Sequence, residues 1–261
     1  MTLRIPLLCV ALAACGPKQS TPSPAKLPKQ PTADQLFEHQ IALGGGKEKI
    51  ESVQNRVQVG AMERTVEGVT MQMVTVQAAP NKMLQAASLQ GLGEFVEAYD
   101  GTTAWSMNPV TGPAIKHGAE LAEVRRLSDL YAALHYAEHY PTRTLVGETE
   151  HAGEPCWQVD AITDDGQART FYFAQDDGYL KGMAFDFVTE MGVLPAVTSF
   201  MAYERFDGFP IATRTLAKVD TMEVILTTSD VQHNVPASDL PDFAPPPEVK
   251  ALQAELEALP E

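Results

Sequence analysis

Residues 55–77 read NRVQVGAMERTVEGVTMQMVTVQ, and this stretch decides the fold. Val57, Val59 and Ala61 alternate with polar neighbours, Glu67-Gly68 supplies a turn, and Met71, Met73 and Thr75 resume the alternation. A period of two is the signature of a strand, and two such runs around a tight turn make a hairpin. The same pattern recurs around Asp100-Gly101, Asp165-Gly166, Asp177-Gly178 and Asp207-Gly208. Each Asp-Gly pair tolerates the positive φ angles that short hairpin turns need. Strands are expected at about 54–65, 68–79, 82–90, 94–100, 103–109, 142–150, 155–163, 168–174, 179–189, 196–206, 211–219 and 221–231. A meander of that length cannot stay flat. The expected fold is therefore mainly β: a strongly curved antiparallel sheet, or incomplete barrel.

One segment interrupts the strands. Between Gly118 and Tyr140, Leu121, Val124, Leu127, Leu130, Tyr131 and Leu134 recur at helical spacing. Helices placed between two runs of hairpins are expected to roof the mouth of the curved sheet, with Leu127, Leu130 and Tyr131 facing inward. A short helix is expected at 35–43, capped by Asp34, with Leu36, Phe37, Ile41 and Leu43 on its apolar side and glycines 44–46 ending it. A further helical turn follows at 47–53.

The chain divides into four parts. Arg4, the apolar run Ile5 to Ala14 and the sequence Leu12-Ala13-Ala14-Cys15 have the layout of a lipoprotein signal, so residues 1–14 are expected to be removed and Cys15 acylated. About ten apolar residues are too few to span a bilayer. Residues 15–32, rich in Pro, Ser and Lys, read as a disordered tether. Residues 33–235 form the folded domain. Residues 236–261 are a Pro-rich tail with a short helix whose Val249, Leu252, Leu256 and Leu259 make one stripe.

The net charge of -15 disfavours nucleic acid and anionic headgroups as partners of the folded body. Of the three cysteines, Cys9 leaves with the signal and Cys15 carries the anchor, which leaves Cys156 without a partner in the chain. Beside Trp157 in a strand it reads as a buried, inert thiol.

Catalytic motifs are thin. His135-Tyr136-Ala137-Glu138-His139 matches the H-x-x-E-H zinc pattern, but Tyr140-Pro141 ends the helix at once. The downstream acids Glu190, Glu204 and Glu223 fall in strands rather than on a helix. The motif is therefore expected to be a solvated helix end, with no metal and no catalytic residue. No nucleophile elbow, phosphate loop or dinucleotide fingerprint occurs, so no cofactor is expected. Asp164-Asp165 and Asp176-Asp177 are explained as turn formers.

What the strands do offer is apolar and adaptable. Met62, Met71, Met73, Met83, Met183, Met201 and Met222 lie in strands with Phe171, Phe173, Phe185, Phe187 and Phe200. Methionine suits surfaces that accept variable apolar ligands. If the sheet is too wide to fill its own concavity, these side chains line a groove. The expected ligand-contacting set is Met71, Met73, Trp105, Phe171, Phe173, Phe185, Phe187 and Leu226 from the sheet, with Leu127, Leu130 and Tyr131 from the lid.

Ala42-Leu43-Gly44-Gly45, the hairpin Tyr99-Asp100-Gly101-Thr102-Thr103-Ala104-Trp105, Leu145-Val146-Gly147-Glu148 with Gly153 after it, and Tyr203 to Pro210 (YERFDGFP) follow one another in that order. Together they resemble the outer-membrane lipoprotein-sorting family, the LolA/LolB-like group, over about residues 33–232. The resemblance implies an incomplete antiparallel β-barrel with a helical lid over an apolar cavity for acyl chains. The chain departs from it in having Tyr172-Phe173-Ala174 where relatives commonly carry an aspartate, and Phe209-Pro210 after the late Asp-Gly pair. The soluble carrier of the group holds its lid shut with a buried arginine; among Arg56, Arg64, Arg143, Arg169, Arg205 and Arg214 the sequence singles out no equivalent.

The leading expectation is a non-enzymatic lipoprotein, anchored in the outer membrane and facing the periplasm, whose partners are lipid or lipoprotein acyl chains. Gly16 lacks the aspartate that retains many lipoproteins in the inner membrane. A second reading is an envelope-assembly module with a filled barrel and a protein partner at an edge strand or the C-terminal helix. The third is a zinc hydrolase at 135–139.

Overall fold

A computed structural model describes residues 26–65, 68–189 and 192–258, the side chains of 187–189 excepted. The expected signal, Cys15, the Phe187 side chain and Leu259 lie outside the described residues.

The chain begins with α1 (Ala33–Leu43) and α2 (Lys47–Glu51). The cap of α1 is Thr32, not Asp34: the Thr32 hydroxyl accepts the Gln35 N–H at 3.2 Å and the Gln35 side chain accepts the Thr32 N–H at 2.9 Å. This reciprocal pair is a capping box. Asp34 is thereby left to bind Arg143 at 2.7 Å.

Six strands follow: β1 (Asn55–Arg64), β2 (Val69–Ala78), β3 (Lys82–Leu89), β4 (Gly93–Tyr99), β5 (Ala104–Asn108) and β6 (Gly112–Ile115). Then come α3 (Gly118–Ser128) and α4 (Tyr136–His139). The second run comprises β7 (Thr142–His151), β8 (Glu154–Ile162), β9 (Ala168–Ala174), β10 (Leu180–Thr189), β11 (Gly192–Phe206), β12 (Phe209–Val219) and β13 (Met222–His233). Helix α5 (Pro247–Glu257) closes the described chain. Strand β6 was not among the expected strands. As an edge strand it tolerates Pro113, whose missing N–H points away from any neighbour.

All thirteen strands form one sheet in the order β6-β5-β4-β3-β2-β1-β13-β12-β11-β10-β9-β8-β7. Every pairing is antiparallel, β1 meets β13 at the centre, and β6 and β7 remain as separate edges. The sheet is therefore unclosed. Its curvature follows from α3, which touches both β4 and β10. Seven strand spacings separate those two strands, about 33 Å on a flat sheet. An eleven-residue helix reaches about 16 Å. The sheet must curl around α3, and the face carrying α1 to α4 is the concave one.

Register assigns side chains to faces, since directly paired residues share a side. On the concave face, Leu36 and Phe37 of α1 pack with Trp157, Val159, Phe171 and Phe173, and Tyr136 and Tyr140 lie against the same cluster. Leu130 joins Ile50, Val53, Phe209, Ile211 and Val231. Val124 of α3 sits on Met83, Tyr99 and Ala104. On the convex face, Val76, Leu84, Ala86, Ala98 and Trp105 are covered by Phe243 and Val249 of the C-terminal segment. Val249, at 0 % exposure, is thus a core residue of the fold rather than part of a free stripe.

Candidate functional site

Helix α3 is held across the gutter by charge. Buried Arg126 donates to Asp164 and Asp165, each at 2.7 Å, and to Glu123 at 2.9 Å. Glu123 also accepts from buried Arg169 of β9 at 2.6 Å, and Arg125 reaches Asp164 at 2.6 Å. Three arginines and three acids thus latch the helix to the β8–β9 turn. Burial pushes the Asp165 carboxyl up, but hydrogen bonds from Thr163 and Arg126 outweigh it and hold the group below its ordinary value. Asp164-Asp165 does form a turn, as its sequence implies, yet its carboxylates also receive the latch. Arg126 escaped the sequence reading; the signal was the Glu123-x-x-Arg126 pair inside an otherwise apolar helical stripe.

Beneath α3 lies a partly open space of about 90 Å³, bounded by Glu97, Lys116, Glu123, Val124, Arg126, Arg169 and Phe185. Burial raises the Glu97 carboxyl, with Lys116 acting against it. Beyond this space the concave floor continues over the central strands. Met62 pairs with Met71 and with Leu226, Gly60 pairs with Met73, and Met73 pairs with Ala87. Ala87 lies on the same strand face as Met83, against which α3 packs. Phe185 pairs with Arg169 from the other side. Met62, Met71, Met73 and Leu226 are half-buried neighbours on this face and make an apolar trough, whereas Phe185 stands three strands from Leu226 with the Arg169 guanidinium 4.9 Å over its ring.

The expected ligand-contacting residues therefore divide. Met71, Met73 and Leu226 share the trough floor, and Phe185 lines the space under α3 beneath Arg169. Phe171 and Phe173 face the same side but are packed under Phe37, at ring distances of 5.1 and 5.3 Å. Leu130 is buried among α2 and β12 residues, and the Tyr131 hydroxyl donates to the Val53 carbonyl at 2.9 Å. Leu127 is 52 % exposed at the rim of the space under α3. Trp105 must be reassigned: it lies on the convex face, its indole N–H donating to the Phe243 carbonyl at 3.1 Å, so it cannot meet a ligand in the trough. The backbone alternation placed it there, because Trp105 pairs with Ala98 and not with a trough residue. Cys156 is buried and its thiol is pushed up by burial, as befits an inert side chain.

The H-x-x-E-H motif is not a solvated helix end. Asp129 Oδ2 lies 2.7 Å from His135 Nδ1 and 2.7 Å from His139 Nε2. The second oxygen, Oδ1, accepts the Tyr131 N–H at 2.9 Å. Burial pushes Asp129 up, and the hydrogen bonds from His139, His135 and Tyr131 more than reverse this, holding it below the usual carboxylate range. Glu138 points into solvent.

No protein-family profile matches the chain, and no curated protein matches it. Solved structures share the fold. A DUF1329 family protein from Desulfovibrio piger superposes with a TM-score of 0.55 at 12% identity, over 79% of this chain and 95% of that one. A LolA superfamily protein from Nitrosomonas europaea gives 0.55 at 12%, over 82% and 98%. An outer membrane lipoprotein-sorting protein domain from Vibrio parahaemolyticus gives 0.51 at 11%, over 78% and 94%. The chain has the LolA-like fold that its motifs resemble.

Proposed function

We propose that the protein is a non-enzymatic, lipid-anchored component of the cell envelope, facing the periplasm from the outer membrane, that takes up acyl chains of lipids or lipoproteins in the trough. One observation carries this reading: a concave apolar floor of Met62, Met71, Met73 and Leu226 is left half-buried. Unbranched thioether side chains adapt to a ligand of variable shape. Each methylene removed from water contributes about 0.8 kcal/mol, so one long chain needs no charged contact.

The 90 Å³ under α3 is well below the roughly 300–1,000 Å³ of sites for drug-sized ligands. A chain seated along the whole gutter requires α3 to lift, and the contacts that must break are those of Arg126. Arg126 is therefore the candidate for the lid-holding arginine that the family resemblance implies. The second reading, a protein-interaction module, is favoured by Val193, Val197 and Met201, which stand exposed along β11 at 59, 38 and 55 %.

The test is uptake of a fluorescent fatty acid, with mass spectrometry of organic extracts from gently purified protein. Leu226→Arg puts a charge on the trough floor and is expected to weaken uptake about tenfold or more, the equivalent of about 1.4 kcal/mol. Equal uptake by this variant, together with lipid-free extracts of the unaltered protein, would remove the trough as the site. Val197→Lys with Met201→Lys leaves uptake intact under the leading reading and abolishes partner capture under the second.

A further inference from the structure

We infer that Asp129, His135 and His139 form a binding site for a divalent transition metal of the zinc class, which fastens the C-terminal end of α3 to α4. Among the described residues these are the three metal-ligating side chains that converge, their ligand atoms all lying within 4.8 Å of one another. The inference is independent of the lipid reading.

The local fold builds the site. The His139 N–H donates to the His135 carbonyl at 3.0 Å, so the two histidines stand one helical turn apart on one side of α4, with ring centroids 6.4 Å apart. Asp129 is the residue that ends α3, and its extended backbone turns the carboxylate toward α4. The Tyr131 N–H fixes the other carboxylate oxygen, the kind of outer-sphere hydrogen bond that orients metal ligands. The third ligand that the H-x-x-E-H motif needs therefore comes from six residues upstream of His135, where the sequence pattern gave no reason to look.

Chemistry and size agree. Two imidazole nitrogens and one carboxylate suit zinc, cobalt, nickel or copper; calcium and magnesium prefer oxygen alone. With metal–ligand bonds of about 2.0–2.2 Å, tetrahedral ligands sit about 3.3–3.5 Å apart, so each 2.7 Å contact must open by less than about 1 Å. Glu138, which activates water in the hydrolytic version of the motif, faces solvent here. The role assigned is a structural clasp with one position left to water. The other four histidines stand apart: His39 on the Asp177 carbonyl, His151 on Ser199, His233 on Asp207, and His117 exposed.

The experiment uses the full chain, purified in detergent without a histidine tag and stripped with chelator. Titration with Co²⁺ is expected to saturate at one equivalent with visible absorption of a nitrogen- and oxygen-ligated ion, which Zn²⁺ then displaces. Asp129→Asn and His139→Gln are each expected to weaken binding at least about tenfold, and His117→Gln to leave it unchanged. Should either variant fail to fold, carbethoxylation of the unaltered protein, mapped by mass spectrometry, decides: one equivalent of Zn²⁺ protects His135 and His139. Absence of stoichiometric uptake, binding indifferent to His139→Gln, or protection falling on other histidines would overturn the site.

Discussion

Two regions of the concave face, one toward the β7 edge and one over the central strands, are built from the same alternating strands and finish differently. Toward β8 and β9, aromatic rings close the gutter: Phe37 stacks on Tyr136 at 5.1 Å and meets Phe171 and Phe173 edge-on. Over β1, β2 and β13 the same face carries Met62, Met71, Met73 and Leu226, and these stay half-buried. The first region is a core that happens to be concave, whereas the second is a surface that happens to be recessed. Strand alternation fixes which side a residue faces, but the element that lies over it decides whether that residue is core or site.

The sharpest way to break this comparison is to remove a ring from the closed end. Phe173 is fully buried, with Phe37 and Phe171 as neighbours. Phe173→Ala is expected to cost about 3–5 kcal/mol, the range for large-to-small core changes that leave a cavity. Urea unfolding followed by circular dichroism measures it. A loss under about 1 kcal/mol would make the closed end as loose as the trough.

The latch comes next. Arg126→Met removes a buried cation facing Glu123, Asp164 and Asp165, whose side chains are 22–31 % exposed and so partly hydrated. The expected loss is about 1–3 kcal/mol, below that for a fully buried pair. The lid should also exchange its backbone amides faster: hydrogen exchange is expected to rise across α3 and to stay unchanged in β8 and β9. Uniform exchange across all three would mean that α3 is not a separable element.

Acid should loosen the same contact by a smaller margin. The folded Asp165 carboxyl lies below its ordinary value of 3.8, so its stabilising contribution is complete above that value and is lost as pH falls through the lower folded value. The melting temperature of the unaltered protein should therefore drop on going below about pH 4, and Arg126→Met should blunt the drop because the partner is already gone. An identical acid profile in the two proteins would place the acid-sensitive groups elsewhere.

Much of this was legible in the residues. Asp-Gly turns and alternation located twelve of the thirteen strands, and the helical spacing of Leu121, Val124 and Leu130 located the insert. Edge strand β6, four residues long with Pro113 among them, is too short to show alternation. Trp105 was misassigned because a large aromatic beside the Asp100-Gly101 hairpin looks equally at home on either face; its register with Ala98 sets the convex side, and Phe243 and Val249, more than 130 residues later, cover it there. The latch and the Asp129 cluster are long-range or cross-element contacts, Arg126 to Asp164 and the end of α3 to α4, and no periodicity encodes them. Proximity in space was the missing term, not residue chemistry.

The smallest stability effect is expected in the trough itself, and that is what makes it informative. Met73 is half-buried, pairs across the sheet with Gly60 and Ala87, and accepts a weak hydrogen bond from Gln85 at 3.6 Å. Truncating it leaves no sealed cavity, because solvent already reaches the site, so Met73→Ala should cost under about 1 kcal/mol, against about 3–5 for the ring at the closed end. Fatty-acid affinity should move the other way in proportion: loss of the thioether removes contact area from a bound chain and is expected to weaken it several-fold. Measured together, near-neutral stability with weakened uptake marks a residue held for a ligand. A large stability loss with unchanged uptake would return Met73 to the core and make the two regions of the gutter alike.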